Sequence, residues 1–171
     1  PDPGEIVVFK FPDDPTQDYI KRCIAGPGQT IEIVDGNVLI DGKAEGTKEL
    51  VQEQYDPEDG FYFQYYKMTR PSGQEYTIRQ YAEKRHSFKS YNKLLVPAEG
   101  QTIELNAQTA EIYRKVITRY EGHTLENRGS QILVDGAPAT SYTFGQDYFF
   151  MMGDNRDNSS DSREWGVLPR E

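Results

Sequence analysis

The sequence holds one cysteine and two histidines in 171 residues. A single cysteine excludes an internal disulfide and leaves the redox compartment unmarked. Basic side chains are in deficit: 19 Lys and Arg stand against 28 Asp and Glu, a formal charge of −9. That balance argues against a nucleic-acid partner, which calls for a basic face. Long apolar runs are missing too. The longest, residues 6–9 and 148–152, are strand-sized and fall far short of the roughly 18–20 residues of a membrane span; none resembles a signal-peptide core. Apolar residues make up 36% of the chain, a low share, yet a chain near this length still buries about 70% of its unfolded surface. There is no initiator Met, and Pro1-Asp2-Pro3 and the stop after Gly166-Val167-Leu168-Pro169-Arg170-Glu171 read as cut ends of a longer polypeptide.

What is present is unevenly spread. Residues 45–96 carry 8 basic and 8 acidic side chains and 7 of the 12 Tyr, whereas residues 1–44 carry 4 against 8 and residues 97–171 carry 7 against 12. The division predicts a β-core in two parts, 1–44 and 97–171, around a Tyr-rich insert, 45–96. An internal repeat supports it: Gly28-Gln29-Thr30-Ile31-Glu32 aligns with Gly122-His123-Thr124-Leu125-Glu126, and at the same offset of 94 Val38-Leu39-Ile40-Asp41-Gly42 falls on Ile132-Leu133-Val134-Asp135-Gly136. Tyr19 and Lys21 fall on Tyr113 and Lys115. Each copy is a pair of short β-rich runs around a turn, a hairpin signal. Runs of β-branched and aromatic residues bounded by Gly, Pro, Asp or Asn predict strands over 5–11, 19–24, 30–34, 37–40, 61–69, 76–81, 102–105, 114–120, 131–134 and 148–152. Weak helical patterns cover only 80–86 and 109–113. The predicted class is all-β, mostly antiparallel.

Two segments carry chemistry. In Tyr19-Ile20-Lys21-Arg22-Cys23-Ile24, strand alternation puts Lys21 on one face with Tyr19 and Cys23, and Arg22 on the other. A lysine between residues that favour burial either snorkels to water or loses its charge more readily, and a neutral amine is a general base, a role closed to Arg. The second segment, Gly153-Asp154-Asn155-Arg156-Asp157-Asn158-Ser159-Ser160-Asp161-Ser162-Arg163-Glu164-Trp165-Gly166, follows an apolar strand and is almost wholly polar, a composition that holds a loop through side-chain-to-backbone bonds and ion pairs. Its acidic spacing does not fit a calcium loop, so no metal is expected.

In order, Gly4-Glu5-Ile6-Val7-Val8-Phe9-Lys10, Tyr19-Ile20-Lys21-Arg22 with Pro27-Gly28, and Gly153–Arg163 with Trp165-Gly166 and Pro169 resemble the last three conserved boxes of type I signal peptidases. The resemblance covers residues 4–44 and 122–169; residues 45–96 look family-variable. It implies a signal-peptidase-like β-fold and a serine endopeptidase with a Ser/Lys dyad. The implied enzyme needs no cofactor and removes the signal peptides of exported preproteins after a small-x-small motif. It would sit at the extracytoplasmic face of the cytoplasmic membrane on an anchor outside this chain. Lys21 falls on the general base and Ser159 on the serine that orients it. Asp161 and Arg163 match a supporting ion pair, and Arg22 and Asp154 match structural positions. The nucleophile belongs to an upstream box of the type Ser-Met-x-Pro, and no Ser-Met dipeptide occurs here. The chain alone is therefore expected to be inactive. Ala25-Gly26-Pro27-Gly28-Gln29 departs from the family's usual Gly-Leu-Pro-Gly-Asp after the Lys-Arg pair.

Ser160 and Ser162 share the loop with Ser159 and are the alternatives to it if the register of the match shifts. Other neighbouring candidates read as structural. Lys115 lacks a following Arg, Cys23 reads as a small buried residue, and His86 and His123 read as surface residues, leaving a Ser/His/Asp triad without support. The Tyr-rich stretch reads as the core of the insert. The rival functions are a non-catalytic β-rich binding or assembly module on the same scaffold, and a self-cleaving repressor-type Ser/Lys peptidase.

Overall fold

The computed structural model describes residues 1–58, 60–82 and 90–170. His86 lies outside the described residues. The helical pattern over 80–86 is not realised where it can be seen, because Gln80 and Tyr81 end a strand. The chain divides into two compact units, one of residues 1–96 and 149–168 and one of residues 97–148 and 169–171.

The first unit is built from three antiparallel sheets. Strands β1 (Ile6–Phe11), β2 (Asp14–Ala25), β3 (Thr30–Val34), β4 (Asn37–Ile40), β5 (Lys43–Ala44), β6 (Thr47–Asp56), β7 (Phe61–Thr69), β8 (Glu75–Tyr81) and β9 (Tyr91–Leu95) follow one another along the chain. In the second unit come β10 (Thr102–Glu104), α1 (Ala107–Ile112), a π-helical turn (Val116–Tyr120), β11 (Leu125–Asn127), β12 (Ile132–Val134), β13 (Ala137–Pro138) and β14 (Ser141–Thr143). The chain then returns to the first unit through β15 (Tyr148–Met152), α2 (Ser162–Trp165) and β16 (Leu168–Pro169). The sheet that positions the site has the order β1-β2-β15-β16. Cys23, Phe149, Met151, Trp165 and Leu168 form one core cluster, lined by Val7, Phe9, Phe11 and Tyr19. Phe11 stacks on Tyr19 at 4.4 Å, and the Trp165 ring meets Phe9 and Phe11 edge-on at 6.0 and 5.6 Å.

The repeat is present in the register of the two hairpins. Ile31 pairs with Ile40, Glu32 with Leu39 and Ile33 with Val38; 94 residues on, Leu125 pairs with Val134, Glu126 with Leu133 and Asn127 with Ile132. Each copy closes the same way. Asp41 accepts from the Thr30 amide at 2.8 Å, and Asp135 from the Thr124 amide at 2.9 Å. Both aspartates adopt positive φ, 52° and 53°, a conformation that Asp tolerates better than most side chains.

The likeness ends upstream of the hairpins. Tyr19 and Lys21 lie in β2, but Tyr113 caps the C-terminus of α1 and Lys115 precedes the π turn. The strand predicted over 114–120 is therefore helical. Its β-branched content suggested extension, whereas the buried positions Ala110, Tyr113, Val116 and Ile117 follow a helical stripe that spans both elements. Asn106 starts that helix, accepting from the Gln108 and Thr109 amides while Thr109 Oγ1 accepts from the Asn106 amide, a reciprocal cap. Strand β6 was unread because nearly all of its residues are exposed, so it shows no alternation. The hairpin over 61–81 is present, with β7 and β8 joined through the Arg70–Gly73 turn.

Candidate active site

The site begins on β2. Lys21 and Arg22 are neighbours on a strand, so their side chains leave opposite faces. Met152, at the end of β15, pairs with Arg22, and the polar loop starting at Gly153 engages both faces. On one, Arg22 makes a two-pronged contact with Asp154, Nε to Oδ1 at 3.0 Å and Nη2 to Oδ2 at 2.8 Å, and donates to the Gly4 carbonyl at 2.7 Å. On the other, Lys21 Nζ lies 2.8 Å from Ser159 Oγ and 5.4 Å from the Tyr19 ring centroid.

The loop that brings Ser159 there is held from within. Asp161 is fully buried and caps α2, accepting from the Arg163 amide at 3.1 Å. Its carboxylate takes the Arg163 guanidinium in a fork, Nε to Oδ1 at 2.8 Å and Nη2 to Oδ2 at 2.7 Å, and accepts from the Gly153 amide at 3.0 Å. Ser162 Oγ accepts from the Met151 amide at 2.8 Å. Ser159 thus contacts Lys21, while Ser162 serves the backbone of β15. Removing one member of a buried pair such as Asp161–Arg163 leaves an uncompensated charge.

Gly153 has a steric role that sequence reading did not isolate. A β-carbon there would overlap the Ser159 hydroxyl, would lie 2.6 Å from Ser159 Cβ and would come within 3.6 Å of Lys21 Nζ. Only a residue without a side chain lets the hydroxyl reach the amine.

Burial pushes the Lys21 amine below the usual lysine range; the Asp161 carboxylate opposes that shift and the Arg163 guanidinium adds to it. Cys23, two residues on and fully buried, goes the other way: burial raises its thiol to about 11, so it stays protonated and is a poor nucleophile. Lys115 lies in the other unit. His123 Nδ1 sits 2.7 Å from Asp135 Oδ2 at the foot of the second hairpin. Among the described residues no three His, Cys, Asp or Glu converge in a way that could hold a metal ion, and no helix is long and apolar enough to cross a membrane.

A buried group of four, unread in the sequence, lies behind the loop. Arg156 is 2% exposed and reaches Glu45 at 3.4 Å. Glu45 accepts from the Tyr76 hydroxyl at 2.9 Å, and the Tyr76 ring lies 4.0 Å beneath the Arg22 guanidinium. Burial, and next the Glu45 carboxylate, raise the Tyr76 phenol to about 12. Glu45 stands in the bend between β5 and β6, and in sequence a solvated carboxylate looks the same.

The arrangement can take a proton from a hydroxyl presented to Lys21 and return it. Comparison with known proteins gives the family. A signal peptidase I of Aquifex aeolicus is 30% identical over 174 residues, covering 98% of this chain and 58% of its own. One of Rickettsia conorii is 31% identical over 172 residues, covering all of this chain and 48% of its own. The chain thus spans about half the length of these relatives. A crystal structure of a signal peptidase I from Enterococcus faecalis aligns over 99% of this chain and 90% of its own, with 21% identity and a TM-score of 0.40. The family model described as signal peptidase, peptidase S26, matches residues 1–171, and the chain belongs to that family.

Proposed function

We propose that this chain is the Lys-bearing part of a type I signal peptidase, a serine endopeptidase that cleaves exported preproteins after a small-x-small motif. Lys21 is the general base and Ser159 the group that orients it. The nucleophile is a serine supplied from outside these 171 residues, in which no Ser-Met dipeptide occurs. The neutral Lys21 amine takes the proton of that serine hydroxyl as its oxygen attacks the scissile carbonyl carbon. The ammonium then gives the proton to the departing amine as the C–N bond breaks, leaving an acyl-enzyme. Water, deprotonated by the same amine, releases the signal peptide and restores the serine. The donors that stabilise the oxyanion, among them the nucleophile's own N–H, come with the segment that carries that serine. An anchor outside this chain holds the domain at the extracytoplasmic face of the cytoplasmic membrane, where the substrates emerge.

The observation that carries the reading is the 2.8 Å contact between a half-buried amine and the Ser159 hydroxyl. An amine above its pKa is the active form, so preprotein cleavage by the full-length enzyme rises with pH through the lowered Lys21 pKa. The test is the pH profile of full-length enzyme beside the 171-residue chain alone. Cleavage that is flat from about pH 5 to 9, well below the ordinary lysine value of about 10.4, contradicts the assignment. Cleavage by the isolated chain that Lys21→Ala abolishes would keep Lys21 as the base and contradict the placing of the nucleophile outside these residues.

A further inference from the structure

The Tyr-rich segment 45–96 looks in sequence like an accessory to the site, yet its third strand is joined to the site loop along the backbone. The Arg79 amide donates to the Asp154 carbonyl at 2.9 Å, and the Arg156 amide donates to the Arg79 carbonyl at 2.8 Å. Arg79 and Asn155 thereby form a parallel β-bridge. Two residues on, the Tyr81 amide donates to the Asp157 carboxylate. From β8, then, hydrogen bonds reach three residues of the loop, Asp154, Arg156 and Asp157.

Beneath this seam the four buried side chains close a circuit. Tyr76, at the start of β8, supports Arg22 with its ring and holds Glu45 with its hydroxyl. Arg22 grips Asp154, and Glu45 grips Arg156. One tyrosine therefore touches, through one intermediary each, the residues on either side of Asn155. The far end of the same loop carries Ser159. We infer that the 45–96 segment is a working part of the site, and that Tyr76 and Glu45 are positioning residues that fix where the loop presents Ser159 to Lys21. Glu45 is the sharper lever: it is the carboxylate that faces the buried Arg156 guanidinium, and an amide there leaves that charge without its counter-ion. Tyr76→Leu removes both the hydroxyl bond and the face under Arg22, whereas Tyr76→Phe removes only the bond.

This inference rests on the proposed Lys21–Ser159 pair, so its test uses two readouts on the folded chain. The first is hydrogen exchange of the Gly153 and Arg156 amides, which donate to Asp161 and to Arg79 and report the loop independently of the amine. The second is the titration midpoint of Lys21, followed by carbon NMR of labelled lysine and assigned by Lys21→Arg. In Glu45→Gln and Tyr76→Leu, exchange at both amides accelerates by about tenfold or more, and the Lys21 midpoint moves upward as the loop uncovers the amine. Tyr76→Phe gives a smaller change of the same sign in both, and Leu50→Ala, on the exposed part of β6, gives neither. Folded Glu45 and Tyr76 variants that keep both readouts at their wild-type values overturn the inference. Should Glu45→Gln fail to fold, Tyr76→Phe decides on the same criteria. An ordinary Lys21 midpoint in the unmodified chain is a different failure: it overturns the Ser/Lys reading and leaves the exchange readout to judge the loop.

Discussion

The two hairpins 28–44 and 122–138 share a register, an aspartate that closes the turn onto a threonine amide, and a positive-φ aspartate at the same place. What precedes them differs. Before the first, the chain is a strand that lays Lys21 between Tyr19 and Cys23; before the second, it is a capped helix and a π turn that carry Lys115. The first copy alone lies in the unit that contains the loop from Gly153 to Arg163. The repeated β-scaffold is therefore not what sets Lys21 apart from Lys115. Of the two, Lys21 alone lies on a strand that half-buries its amine, with a polar loop that brings a hydroxyl to it.

The contrast is easiest to break at the two lysines. Lys21→Ala in the full-length enzyme lowers the rate of preprotein cleavage by about 10²–10⁴-fold, the range of a general base, while Lys115→Ala leaves it unchanged. Equal losses from both substitutions would erase the distinction. Next in size is the loop's internal pair. Asp161→Ala strands Arg163, and urea unfolding is expected to show a loss of about 3–5 kcal/mol; an unchanged midpoint would show that the loop does not need the pair. Gly153→Ala acts on geometry alone. It forces the Ser159 hydroxyl away from Lys21 and lowers kcat by about 10²-fold, as a displacement on the order of 1 Å can, with KM little affected. A KM effect with kcat intact would relocate the role of Gly153 to substrate binding. The smallest effect concerns what the two copies share: Asp41→Ala and Asp135→Ala each remove one turn closure and should lower the melting temperature slightly, Asp135→Ala a little more because that carboxylate also meets His123. A large loss from only one would mean that the copies are no longer equivalent scaffolds.

Much of this was legible before the structure. Alternation in a strand predicted that Lys21 and Arg22 face opposite ways, and the dense polar composition after β15 pointed to a constrained loop. The repeat predicted both hairpins. Three things were hidden, each for a physical reason. The π turn carries a β-branched sequence whose burial period is visible only together with α1. Strand β6 alternates nothing because both its faces are wet. Glu45 and Tyr76 meet Arg156 and Arg22 across sequence separations of 111 and 54 residues (156 − 45 and 76 − 22), and no local pattern encodes such partners. For the same reason the insert looked separable: its charge balance sets it apart, while its ties to the loop run through backbone bonds that any sequence can make.

The Lys21 amine also links the site to stability. Its folded pKa is below the unfolded one. Between the lowered value and about 10.4, the unfolded chain holds a proton that the folded chain has released. In that window this group makes stability rise with pH, and below it the cost of burying the charge is fully present. The most direct measurement is the titration of Lys21 itself in the full-length protein, by carbon NMR of labelled lysine, with Ser159→Ala alongside. A midpoint clearly below 10.4 that shifts when the Ser159 hydroxyl is removed is the predicted result. A midpoint at the ordinary lysine value, indifferent to Ser159, would contradict the claim that this strand and this loop together create the base.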